Sequence, residues 1–212
     1  MILGLLGKKI GMTQVFDAEG LSVPVTVVQL GENIVTQTIT KEKHGYTAIQ
    51  VGGFAVKEKK LNKPALGAFK KQSIQPLLPI KEFRIDDPSA FTVGEAVPVE
   101  KVFAEGQLVD VRGSSIGKGF QGTVKRFHAG RGPMAHGSKF HRSMGSIAPG
   151  TTPGRVYKGV HMPGQMGNEN VCIRRLKVVQ ILAEKKLVLI KGAVPGVEGG
   201  VVIISPSKTK WN

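Results

Sequence analysis

Between Asp110 and Glu169 the chain carries nine basic residues, Arg112, Lys118, Lys125, Arg126, Arg131, Lys139, Arg142, Arg155 and Lys158, and no acidic residue. Glycine recurs through the same stretch, at 113, 117, 119, 122, 130, 132, 137, 145, 150, 154 and 159. So many glycines disfavour helix, since each costs about 1 kcal/mol relative to alanine in a helix interior. Few large apolar side chains are available to exclude water, and the like charges repel one another in isolation. Such a segment builds no core of its own and is expected to be ordered by a partner.

The flanks differ. Residues 1 to 110 carry 13 basic and 12 acidic side chains, so the chain's net charge of +15 is concentrated beyond them. Runs rich in β-branched residues recur there between turn signals: Ser22 to Leu30, Asn33 to Ile39, Thr47 to Val51, Leu108 to Arg112, Val171 to Leu182, Leu187 to Ile190 and Val201 to Ile204. Several alternate with the period of two that marks a half-buried strand. This pattern predicts a mainly β protein built on a small closed β-barrel. Residues 1–110 and 170–212 supply the barrel, and 111–169 form a long extended basic arm. Residues 56 to 88, with Lys57-Glu-Lys-Lys60, prolines at 64, 76 and 79 and a short helix expected near Pro64 to Lys71, read as a surface insertion.

The central stretch contains several short patterns associated with enzymes, each lacking its context. Gly117-Lys-Gly-Phe-Gln-Gly122 fits the dinucleotide fingerprint, but Thr123 to Phe127 is a poor helix start and no acid follows before Glu169. Gly113-Ser-Ser-Ile-Gly117 fits a nucleophile elbow without the strand and helix alternation that would present the serine. After Gly117-Lys118, Gly119 stands where a phosphate-binding loop needs a magnesium-holding hydroxyl. The histidines at 128, 136, 141 and 161 match no common zinc spacing and have no acid among them. No cofactor, metal or small-molecule substrate is implied.

A polyanion is the expected partner. An anionic membrane would call for a basic amphipathic helix or a lipidation signal, and neither is visible. No stretch approaches the roughly 18 apolar residues of a membrane span, and the opening apolar run is too short for a signal-peptide core, so the expected location is cytosolic. The single cysteine, Cys172, forms no internal disulfide and reads as a small buried strand residue. Nucleic acid remains. Phe120, Phe127, Phe140 and Tyr157 interleave with the cations, which suits phosphate neutralisation combined with stacking on exposed bases. The alternative for each aromatic is that it pins the loop to itself or to the barrel. The candidate contacts from this pattern are Lys118, Lys125, Arg126, Arg131, His136, Lys139, His141, Arg142, Arg155, Lys158 and His161.

Ordered blocks along nearly the whole chain resemble the bacterial members of the universal large-subunit ribosomal protein three family. Gly7-Lys-Lys-Ile-Gly-Met-Thr-Gln-Val-Phe16 is similar to that family's amino terminus, and Gly117 to Arg126 to its entry into a long loop. His136-Gly, His141-Arg142, Gly145-Ser-Ile147, Thr152-Pro-Gly-Arg-Val156 and Gly164-Gln-Met-Gly-Asn168 resemble the loop itself, and Lys191 to Gly196 its carboxy-terminal hairpin. The resemblance implies a six-stranded barrel of the translation-protein type, with its arm running through RNA toward the peptidyl-transferase centre. Large-subunit (23S) rRNA and neighbouring ribosomal proteins are the implied partners, with a part in early subunit assembly. It adds Lys8, Lys9, Gln165 and Asn168 to the candidate RNA contacts. Some family members carry a modifiable glutamine before the Thr-Pro-Gly, where this chain reads Ala148-Pro-Gly-Thr-Thr152, so that modification is not carried over. From composition alone, a free-standing RNA-binding regulator stays open, as does a barrel enzyme acting on a phosphorylated substrate.

Overall fold

The computed structural model describes residues 3–208, which divide into two compact units: Ser115–Glu169, and the described residues on either side of them. In chain order the strands are β1 (Leu5–Phe16), β2 (Ser22–Leu30), β3 (Ile34–Ile39), β4 (Ala48–Ala55), β5 (Leu77–Arg84), β6 (Leu108–Ser114), β7 (Phe120–Gln121), β8 (Gly164–Gln165), β9 (Asn170–Leu182), β10 (Leu187–Lys191) and β11 (Val201–Pro206). The helices are α1 (Lys41–His44), α2 (Lys63–Lys71) and α3 (Thr123–Phe127). The protein is mainly β, as the alternating runs predict.

Six antiparallel strands close on themselves in the order β1-β11-β6-β9-β10-β2, with β2 returning to β1. Closure leaves no free sheet edge in this ring, which is how a small barrel avoids edge-to-edge association. Alternation sends Val28, Val109, Val111, Val178, Val188, Ile190, Val202 and Ile204 into one core. Burying each such side chain contributes about 1.5–3 kcal/mol, so a charge placed at Val188 would break the barrel's centre. The β6–β9 ladder shifts register between Val109 and Val111. There Arg175 takes a left-handed φ of 61° and donates its backbone N–H to the buried Asp110 carboxylate at 3.0 Å. The bulge is thus held by a side-chain acceptor.

The second sheet corrects the expected boundaries. Asn33 to Ile39 and Thr47 to Val51, expected in the barrel, instead form β3 and β4 of a separate antiparallel sheet whose order is β3-β4-β5. The insertion is therefore wider than 56–88. A period of two reports that one face is buried, not what buries it. Here Val35, Ile49, Val51 and Phe83 join the same apolar cluster as the barrel core. Asn33 ties the two sheets together. Its Oδ1 accepts the Leu6 N–H at 2.7 Å, and its Nδ2 donates to the carbonyls of Leu6 and Gly31 at 3.1 and 3.0 Å. It is 1% exposed and has φ 48°, a backbone conformation that asparagine tolerates better than most residues. The expected short helix is α2, with Asn62 as its N-cap accepting from the Ala65 N–H.

Cys172 lies in β9 as expected but is exposed rather than buried. It pairs with Arg112, also exposed, in the β6–β9 ladder. β6 continues to Ser114, so Arg112 belongs to the barrel and not to the arm. Among the described residues, no helix is long and apolar enough to cross a membrane.

Candidate nucleic-acid interface

The unit Ser115–Glu169 begins with its two legs joined. Ser115 N–H donates to the Glu169 carbonyl at 2.8 Å and Lys118 N–H to the Met166 carbonyl at 2.9 Å, while Met166 N–H donates back to Gly119 at 3.0 Å. The short ladder of β7 with β8 continues the pairing through Phe120↔Gln165 and Gln121↔Gly164. Glycine is required in this root: at Gly167 (φ 71°) a Cβ would sit 2.1 Å from the Ile116 carbonyl oxygen. Further out, Gly132 N–H donates to the His141 carbonyl at 2.9 Å, and a Cβ on Gly132 would fall 1.7 Å from the Phe140 carbonyl oxygen. The glycine pattern thus permits close backbone crossings where there is too little apolar surface to hold the legs together.

A five-residue helix, α3, forms at Thr123–Phe127, where the sequence reading expected none. It ends with His128 in a left-handed conformation at φ 56°. Tertiary contacts override its weak propensity. The Arg126 Nη1 donates to the Met162 carbonyl at 2.8 Å, and the Phe127 ring stacks on His161 with centroids 4.0 Å apart and planes 2° from parallel. The Arg126 guanidinium also lies 4.9 Å from the Phe127 ring centroid. Residues 34 positions apart are thereby brought together, which no local spacing announces.

The candidate residues differ in exposure and in the contacts they make. Lys118, Lys125, Arg131, Lys139, Arg142, Arg155 and Lys158 are all exposed, as are His136, His141, His161, Gln165 and Asn168. Arg126 is half-buried in the contacts just described. Arg155 lies 5.5 Å from the ring centroid of Tyr157, and Gln165 donates to the Met166 carbonyl. Lys8 and Lys9 belong to β1 in the other unit and are half-buried. The Lys8 ammonium sits 4.2 Å from the Phe54 ring centroid, and that of Lys9 donates to the carbonyls of Val194 and Gly196 at 3.2 and 3.1 Å. Both therefore have intramolecular partners that the opening Gly7-Lys-Lys block does not reveal.

Thr123 is the only described residue of this unit that is buried. Phe120, Phe140 and Tyr157 are exposed, and so are Met134 and Met144, which the sequence reading passed over although they sit in the same acid-free run. Among the described residues, no group of three or more His, Cys, Asp or Glu side chains is placed to hold a metal ion. Seven exposed cations, with exposed aromatic rings among them and one acid, Glu169, at the unit's end, make a surface suited to a polyanion with planar groups.

This defines a class of basic β-barrel proteins that carry a cationic, glycine-rich arm whose surface suits a polyanion. Comparison with known proteins narrows the class. A family profile described as Ribosomal protein L3 matches residues 87–186. Large ribosomal subunit protein uL3 of Gloeobacter violaceus is 54% identical over 210 residues, covering 99% of this chain and 97% of that protein. The proteins of the same name from a Synechococcus strain and from Thermosynechococcus vestitus are 51% and 52% identical, with at least 98% of each chain covered. The chain belongs to the large ribosomal subunit protein uL3 family.

Proposed function

We propose that this chain is a structural constituent of the large ribosomal subunit. It binds large-subunit (23S) rRNA chiefly through the Ser115–Glu169 arm, contacts neighbouring ribosomal proteins, supports early subunit assembly in the cytoplasm and directs its arm toward the peptidyl-transferase centre. Its closed barrel is of the translation-protein type and acts as the arm's mount. The observation that carries the reading is the arm itself: seven exposed cations and one acid in a unit with a single buried residue. Neutralising closely spaced phosphates requires that charge density, and approaching them closely requires those glycines.

The role is one of positioning rather than catalysis. The arm's histidines have no carboxylate among them in sequence before Glu169, and the Ser146 hydroxyl donates to the Ala148 carbonyl rather than to a base. The full-length match to ribosomal relatives favours this reading over a free-standing regulator.

Sedimentation of a lysate at low magnesium, with subunits separated, tests the proposal. The chain is expected to migrate with the large subunit and to leave it only at high salt. Migration with the small subunit, or among free proteins at moderate salt, would remove it.

A further inference from the structure

Beside the Phe127–His161 stack lies an open cleft of about 390 Å³, lined among others by Thr123, Ala129, Met144, Ser146, Val160 and His161. All of it lies within the Ser115–Glu169 unit. One face of the His161 imidazole is covered by Phe127, and the side chain is otherwise exposed and lines the cleft. The stack is fixed in advance, because Arg126 anchors the neighbouring Met162 carbonyl to α3. Ala129, Met144 and Val160 supply apolar walls. The Ser146 hydroxyl donates to the Ala148 carbonyl at 2.9 Å, which leaves its oxygen able to accept a hydrogen bond.

Cations flank the lining segments in sequence: Lys125 follows Thr123, Arg142 precedes Met144 and Lys158 precedes Gly159. A preformed aromatic stack, a thioether and apolar walls of this volume suit one planar ring, and the surrounding charges suit the phosphates on either side of it. An acidic peptide would satisfy the charges but would leave the stacking surface unused.

Resting on the proposed RNA-binding role, we propose that the cleft beside the Phe127–His161 stack binds one unstacked nucleobase of single-stranded RNA, with His161 as its stacking platform.

Equilibrium binding of the full chain to oligoadenylate, to an abasic ribose-phosphate chain of equal length and to polyglutamate tests this. His161→Ala is expected to weaken oligoadenylate binding roughly ten-fold, within the usual value of one base–aromatic stack, and to leave abasic binding and its salt slope unchanged. His161→Phe is expected to restore the affinity. Ala129→Leu narrows the cleft while sparing the stack and is expected to give the same selective loss, which decides the matter if His161→Ala disturbs the arm. Equal losses for oligoadenylate and the abasic chain, or no loss in either variant, would overturn the base site while leaving the RNA reading intact. Failure of the wild-type chain to bind either polymer, or equal affinity for polyglutamate, would overturn both.

Discussion

The two units of this chain solve different physical problems with the same alphabet. The barrel and its attached sheet exclude water: every buried apolar residue identified in the structure lies there. The arm buries Thr123 alone among its residues and holds its form by backbone pairing at the root, glycine-permitted crossings and one ring stack. Stability and charge density are separated along the chain because they conflict. A surface crowded with cations costs self-repulsion that a core would otherwise have to offset, and a partner of opposite charge removes that cost.

The largest contrast is expected on removing the arm. Ser114 and Asn170 are cross-strand partners in the β6–β9 ladder, so a short Gly-Ser turn in place of Ser115–Glu169 joins two ends that already lie side by side. The shortened protein should keep a cooperative thermal transition, since loop shortening lowers closure entropy. Its affinity for large-subunit RNA should fall on the order of a thousand-fold, with a much flatter salt dependence. Purified subunits carrying it should assemble or transfer peptides poorly. A protein that no longer melts cooperatively would show that the arm is part of the core.

Amide exchange on the free protein probes the same division without altering the sequence. The strand amides around Val25 to Val28 should be protected roughly a thousand-fold or more beyond those of residues 125 to 165, because core strands open near the global stability of about 5–15 kcal/mol while thinly packed segments open far more easily. Equal protection would dissolve the distinction between the units.

A smaller effect separates them from the other side. Asn33→Ala leaves the Leu6 N–H and two carbonyls without their side-chain partner inside the body and should lower stability by about 1–3 kcal/mol, read as a lowered melting temperature. RNA affinity at temperatures well below that melt should not move. Smallest of all, Lys125→Gln should reduce the log–log salt slope of RNA binding by about 0.7–0.9 while leaving the melting temperature unchanged. Lys9→Gln should do the reverse, since the Lys9 ammonium is bonded to the chain's own carbonyls.

Much of the fold was legible because burial leaves a period in the sequence. Ser22 to Leu30, Leu108 to Arg112, Leu187 to Ile190 and Val201 to Ile204 all lie within strands. Four strands have no predicted run: the two-residue β7 and β8, and the longer β1 and β5. β1 mixes Gly7, Lys8, Lys9, Gly11 and Gln14 into its length, and its outer half presents Ile10 and Met12 to solvent, so its apolar pattern fades. β5 holds Pro79 and the charged Lys81 and Glu82, which a central strand would not tolerate; β5 is an edge, where proline costs no ladder hydrogen bond. Whether a strand joins the barrel or the second sheet cannot be read from alternation, which explains the misplacement of β3 and β4. In the arm, charge and exposure followed from composition, whereas the Phe127–His161 stack and the engagement of Arg126 depend on a long-range return of the chain that composition does not encode.

The pairing of β1 with β11 has a consequence for how the molecule is made. Its first strand waits for its last: Leu5 pairs with Ile204, so the ring cannot close until almost the whole chain has been synthesised. At about 5–20 residues per second, that leaves the outer edge of β1 unpaired for roughly 10–40 seconds. The Ser115–Glu169 segment emerges before the closing strand does, at a time when the nascent body is still an open sheet. The cationic unit is thus available first, and the part that excludes water is completed afterwards.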